Sequence, residues 1–246
     1  MDSVNRHDLQ DYLLQVQDEV RSEFQWDLED DYANAKWLVN SLISDSFVEG
    51  EEGQFDAAWP LVKSELLSWS GNVVIVGAAA QASEIEDAMA NGCKFLIADG
   101  SGGVFSHIRR PDLAWDLTVG VVTDGDGGQG LIDAVKRAIP LIIHAHGDNR
   151  KELEALIRIM GEQNVSLTHQ TPYHIKGMRN PGGFTDGDRA VCIALSMGVK
   201  FDRIVLVGTR SDEIGRFSGA TDPIRKFEKL KWMKRILNKI GFDDIK

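Results

Sequence analysis

Residues 117–128 read LTVGVVTDGDGG. Six mostly β-branched or small apolar residues run without a polar break and then stop at an aspartate–glycine turn. A strand that is apolar on both faces belongs to a sheet covered on both sides. The same layout recurs along the chain. Apolar runs fall at Val73–Val76, Phe95–Ala98, Leu117–Val122, Leu141–Ala145, Val165–Thr168 and Ile204–Val207. Helical spacing lies between them, at 82–91, 130–138, 150–161 and 187–197. Alternating strands and helices predict an α/β, Rossmann-like, mostly parallel sheet with helices on both faces. In such sheets ligands bind beyond the carboxyl ends of the strands, near a topological switch point.

Outward from this core, residues 1–70 read as an N-terminal helical region and 71–246 as the α/β catalytic domain. Leu9, Tyr12, Leu13, Val16, Val20 and Phe24 keep the i, i+3, i+4 rhythm of one buried helix face. Further helices are expected over Asp30–Leu42 and Phe55–Trp69, with Gly50 and Gly53 in the loop between them. No Gly/Asp turn precedes residue 71. This region is therefore expected to carry no catalytic group and to cover a sheet edge or form a contact between copies of the chain. A last amphipathic helix is expected over about 223–240. Its basic residues Arg225, Lys226, Lys229, Lys231, Lys234, Arg235 and Lys239 read first as a solvated face and second as a polyphosphate contact.

Composition narrows the function classes. The net charge is −11, and residues 1–70 hold 16 acidic and 4 basic side chains. That balance argues against a basic nucleic-acid surface. No apolar run reaches the roughly 20 residues of a membrane helix. MDSVNRHDLQ lacks the layout of a signal peptide, and the 2 cysteines, Cys93 and Cys192, build no disulfide framework. A cytoplasmic, membrane-free protein is expected.

Chemistry concentrates where strands end. Gly77-Ala78-Ala79-Ala80 follows the first strand and suits phosphate approach or tight packing equally, without the full dinucleotide fingerprint. Asp99-Gly100-Ser101-Gly102-Gly103 suits a nucleotide contact, with Asp99 as a mere helix cap the alternative. Asp124 and Asp126 stand at i and i+2 in a glycine turn, where two carboxylates converge on one hard cation such as magnesium. His144-Ala145-His146-Gly147-Asp148-Asn149 reads either as a transition-metal site or as a polar shell that orients substrate. Asn180-Pro181-Gly182-Gly183-Phe184-Thr185-Asp186-Gly187-Asp188-Arg189 opens a helix. There Asp186 suits an N-cap and Asp188 the helix dipole, and the density of special residues suggests a binding loop.

Taken in order, these motifs resemble the archaeal 6-hydroxymethyl-7,8-dihydropterin pyrophosphokinases. HAHGDN at 144–149 and GFTDGDRA at 183–190 carry the likeness. ADG at 98–100, TDGDG at 123–127, IGRFSG at 214–219 and WDLEDD at 26–31 support it. Ala78–Ala80 departs from the Gly/Pro/Ser-rich turn expected at that position. A more distant likeness to thiamine pyrophosphokinases implies Asp124, Asp126 and Asp186 as magnesium ligands. The resemblance implies diphosphoryl transfer from ATP to a reduced pterin, with release of AMP. It makes Asp186, Asp188 and Arg189 the catalytic candidates. The candidates for nucleotide or pterin binding are Gly77, Asp99, Gly100, Ser101, His144, His146, Asp148, Asn149, Asn180 and Thr185. A thiamine pyrophosphokinase-like enzyme, a metallohydrolase using His144, His146 and Asp148, and a non-catalytic nucleotide sensor are the rival readings.

Overall fold

A computed structural model describes residues 6–43, 56–219 and 222–245. The expected Gly50 and Gly53 loop lies outside these residues. Three helices come first: α1 (Arg6–Phe24), α2 (Leu28–Ile43) and α3 (Ala58–Ser68). Strand and helix then alternate through β1 (Val73–Val76), α4 (Ala82–Ala90), β2 (Lys94–Ala98), α5 (Pro111–Asp116), β3 (Thr118–Thr123) and α6 (Gly128–Lys136). They continue through β4 (Leu141–Ala145), α7 (Arg150–Met160), β5 (Val165–His169), β6 (Met178–Arg179), α8 (Asp186–Met197), β7 (Ile204–Val207) and α9 (Pro223–Ile240). Each expected strand and helix is present, with ends that move by at most a few residues. The two-residue β6, the short α5 and a 3-10 segment at Asp99–His107 carry too little periodicity to be read beforehand.

Seven strands form one sheet in the order β6-β5-β4-β3-β2-β1-β7, and every pairing is parallel. The chain therefore lays strands down in one direction from β1 to β6. It then returns through α8 to set β7 against the open side of β1. The switch point lies between β1 and β7, where a crevice must open at the carboxyl ends.

Alternation along each strand feeds two cores. Val74, Val76, Phe95, Ile97, Val121, Leu141 and Ile143 pack with α2, α4, α5, α6 and α7. Val73, Ile75, Leu96, Val119, Val122 and Ile142 pack with α1, α3, α8 and α9. The N-terminal helices thus divide between both faces: α2 lies on β4, β5 and α7, while α1 meets α9 and α3 covers β3 to β5. None of the described helices is long and apolar enough to cross a membrane.

Candidate active site

A cleft of about 390 Å³ lies over the carboxyl ends of the strands. Its floor is built by four short turns. After β1, Gly77, Ala78 and Ala79 line it, so the alanine turn that departs from the family pattern still forms a wall. After β7, Gly208 turns at φ +66°, and an added Cβ would run into the backbone of Ala80. Gly77 in turn would put a Cβ 2.6 Å from the Gly208 oxygen. Backbone here meets backbone, and only glycine permits it.

The turns after β2 and β3 bring carboxylates together. Asp99, expected to be either a ligand contact or a cap, caps no helix: it adopts φ +49° and turns inward, where Thr123 Oγ1 donates to its Oδ1 at 2.5 Å. The same Thr123 oxygen accepts from Gly125 N at 2.9 Å, which fixes the aspartate turn after β3. Carboxylate oxygens of Asp99, Asp124 and Asp186 lie within 4.8 Å of one another. Asp126 stands beside them but outside that trio, so Asp99 replaces it in the closest group. Burial and then the neighbouring charge of Asp124 push Asp186 up to about 8. Burial and the charges of Asp124, Asp186 and Asp126 push Asp99 well above the usual carboxylate range. Burial followed by Asp124 raises Asp126 too. Asp124 Oδ1 is buried without a partner. Crowded carboxylates with an orphaned oxygen fit a hard divalent cation, and the all-oxygen donor set favours magnesium over zinc or copper.

The HAHGDN stretch divides its labour. His144 is fully buried, with Nδ1 3.1 Å from Thr168 Oγ1 and Nε2 3.4 Å from Gln170 Oε1. Burial, then the charge of Arg189, holds it well below the usual histidine range and therefore neutral. His146 lies between Asp124 (Nε2, 3.2 Å) and Asp148 (Nδ1, 2.8 Å). Burial opposes its charge, but those two bonds raise it to about 9. The bond from His146 holds Asp148 at about 2. Asp124 is pushed up by burial and yet lies below the usual range, because His146 donates to it and carries charge. With both nitrogens of each imidazole engaged, no lone pair remains for a transition metal. Asn149 is a structural knot: Nδ2 donates to Asp124 O (2.7 Å) and His144 O (2.8 Å), and Oδ1 accepts from His146 N and Asn34 Nδ2.

The loop before α8 corrects one expectation. Thr185, not Asp186, is the N-cap, and Asp188 completes a capping box. The Asp188 carboxylate accepts from Phe184 N (2.6 Å), Thr185 N (2.8 Å) and Thr185 Oγ1 (2.5 Å), and it is fully buried. Asp186, freed from capping, points into the cluster. Ser101 lines the cleft while its hydroxyl donates to Ala98 O at 2.6 Å. Gly100, His144, Asn180 and Asp188 stand behind the wall. Asn180 there joins the loop to Gln17 of α1 and to Thr171 O.

Several lining residues were not among the candidate site residues. Trp26 comes from the N-terminal region and stacks on Phe24 (4.8 Å), with Arg225 and Lys229 over its ring at 5.3 and 5.4 Å. Arg225, Lys226 and Lys229 of α9 line the cleft, so part of the basic helix faces the carboxylates. Burial lowers the Lys229 ammonium despite the attraction of Asp124 and Asp148.

The parallel sheet, its switch-point crevice and its strand-end carboxylates define a Rossmann-like α/β protein with an acidic ligand site. No protein-family model matches the chain. It is 35% identical over 146 residues to a 6-hydroxymethyl-7,8-dihydropterin pyrophosphokinase of Methanothermobacter thermautotrophicus, covering 55% of this chain and 59% of that protein. It is 40% identical over 116 residues to the protein of the same name from Pyrococcus furiosus, with coverage of 46% and 44%. A third of that name, from Methanocaldococcus jannaschii, is 31% identical over 119 residues. The chain spans about half the length of these curated relatives. Over about half its length the sequence is thus similar to archaeal 6-hydroxymethyl-7,8-dihydropterin pyrophosphokinases.

Proposed function

We propose that this chain transfers the diphosphoryl group of ATP to the hydroxymethyl oxygen of 6-hydroxymethyl-7,8-dihydropterin, releasing AMP. The observation that carries the reading is the Asp99, Asp124 and Asp186 carboxylate trio facing the basic side of α9 across one cleft, in a relative of enzymes of that name. In the reaction the substrate oxygen bonds to Pβ, the bond from Pβ to the α–β bridging oxygen breaks, and AMP leaves with that electron pair. Magnesium held by Asp99, Asp124 and Asp186, with Asp126 beside them, supplies charge neutralisation for the polyphosphate when bound.

The chain's own groups do the rest by position and charge. Arg225, Lys226 and Lys229 hold phosphate oxygens. Asp186 takes the hydroxyl proton in addition to its place in the cation site. Asp188 serves instead to shape the loop, since its lone pairs are spent on three donors. His146, kept protonated between Asp124 and Asp148, aims the Asp124 carboxylate. The protein works without membrane or nucleic acid, in the cytoplasm.

An AMP-release assay with ATP, magnesium and the reduced pterin, run beside thiamine, tests this. Release that requires the pterin and magnesium supports it. Release with thiamine alone, or phosphate release with no acceptor, overturns it.

A further inference from the structure

The cleft is divided by its carboxylates into two unlike halves. One half, between β1 and β7, is walled by Gly77, Ala78, Ala79, Gly208 and Gly215 and so offers backbone. The other half is walled by side chains, and one of them is unfinished. Arg189 is 1% exposed and lines the cleft. Its Nη2 donates to Phe184 O at 2.8 Å, while Nε and Nη1 are buried with no partner. A guanidinium has five N–H donors and no acceptor, and leaving a buried charge unpaired is costly. The side chains around it do not complete it. Asp186, Asp188 and Asp124 attract its charge without bonding these two nitrogens, and Asp188 is spent on the capping box.

The neighbouring acceptor is equally fixed. Gln170 Nε2 donates at 3.0 Å to both oxygens of Asp31, which turns its Oε1 towards His144 and the cleft. Asp31 is itself held by Arg21 Nη1 at 3.3 Å and by Gly147 N at 2.7 Å. Trp26 and Phe184, 5.9 Å apart, make the apolar wall of this half.

Resting on the functional reading above, we infer that this half, with Arg189 at its base and Trp26 and Phe184 at its side, seats the acceptor's heteroaromatic ring, Arg189 reading its carbonyl–ring-nitrogen edge. Arginine takes two adjacent acceptors in this way on guanine, whose carbonyl oxygen lies beside a ring nitrogen. A 4-oxo pteridine presents the same pair. Adenine presents an acceptor beside a donor and leaves one arginine N–H unmatched, so the nucleotide base belongs in the glycine-walled half. In that arrangement the ring's hydroxymethyl arm points towards the carboxylates and towards the two cations over Trp26.

The ligand itself supplies the test, with the wild-type protein. Titrations use 6-hydroxymethylpterin and its 2,4-diamino counterpart, in which a donor replaces the carbonyl. The oxo ring should bind about tenfold or more tightly, the discrimination one good bidentate pair supplies. Equal affinity overturns the inference. Trp26→Leu should weaken the oxo ring by about tenfold, and by more than it weakens the α,β-methylene analogue of ATP. Weakened nucleotide binding with unchanged pterin binding would reverse the two halves and overturn the inference. Arg189→Met, if it folds, should erase the preference between the two rings. A wild-type protein that binds the oxo ring selectively but releases no AMP sinks the diphosphoryl-transfer reading while leaving the ring site standing.

Discussion

The two walls of the cleft are built from different material. On the β1–β7 side, turns that follow their strands directly pack backbone on backbone, and glycines make the contact possible. On the β4–β5 side, the surface is held by side-chain bonds that span the chain: Asn34 to Asn149, Asp31 to Gln170, Gln17 to Asn180. The first wall is a shape, and it tolerates no added atom. The second is a network, and it tolerates no missing partner. The carboxylates stand between them and belong to neither.

That middle should give the largest effect. Asp124→Asn, Asp126→Asn and Asp186→Asn should each lower AMP release by about 100- to 1,000-fold, the usual loss for one good electrostatic contact to the transition state. Asp99→Asn joins them, since Asp99 completes the close trio. Without magnesium, the melting temperature of the Asp99, Asp126 and Asp186 variants should hold or rise, because burial and like charge disfavour those carboxylates, whereas Asp124→Asn should lower it by removing the partner of His146. Near-normal turnover in all four would reduce the cluster to turn chemistry.

Removing a node from the network wall comes next. Asn149→Ala leaves two backbone carbonyls and an amide of a buried turn unpaired, at about 2–4 kcal/mol by urea unfolding. Activity should fall with it, since the same side chain anchors the backbone of Asp124. On the shape wall, Gly208→Ala forces a Cβ into the Ala80 backbone at a positive φ and should cost about 1–3 kcal/mol. Its KM for ATP should rise more than its KM for the pterin. A larger effect on the pterin would erase the contrast between the walls.

Acid should loosen the network wall first. Burial, with His174 and Arg189 nearby, lowers His169 to about 4, and burial keeps His144 neutral in the same way. The unfolded chain binds these protons near pH 6.5 and the folded chain does not. Their contribution is therefore complete above about pH 6.5 and falls by about 1.4 kcal/mol per pH unit for each group as the pH drops towards 4. His169→Asn should flatten the stability profile in that window, measured by chemical unfolding from pH 7 to pH 4.5. The smallest effect should come from the outer side of α9. Lys231, paired with Glu228 on the surface, should change stability by less than about 1 kcal/mol on mutation to alanine, whereas Lys226→Ala should raise the KM for ATP.

The shape wall was legible in the sequence and the network wall was not, for a physical reason. Strands such as VVIV and LIIHA announce themselves by continuous apolar runs, and the turns after them by Gly and Asp. Such signals are local, so the α/β class, the principal strands and helices and the aspartate turns at the strand ends could be read in order. Asp31 and Asn34 sit in a helix with an ordinary amphipathic rhythm and Trp26 in the turn before it, and only the packing of α2 on β4 and β5 brings them to this side of the site. WDLEDD carries a family likeness but, as a sequence, no chemical role. Asp188 and Asn149 look like site residues because they are polar and near glycine, yet their bonds are to the chain itself. Distinguishing an aspartate that caps from one that faces a ligand needs the φ of Thr185 and the direction of α8, which spacing does not encode.

The late arrival of β7 has a consequence for the making of the protein. Val73 pairs with Ile204, so β1 has an open edge until the last fifth of the chain has been synthesised. Up to that point its backbone donors and acceptors on one side have no strand to meet, a template for pairing with another molecule. The emerging chain also carries its aspartate turns well before the lysines of α9 exist, so the acidic patch is born without its counter-charge. Contacts this distant in sequence form slowly. A ribosome-bound chain halted before residue 204 should therefore be prone to self-association, and its release with β7 and α9 in place is the step at which the protein becomes both closed at its edge and able to hold a polyphosphate.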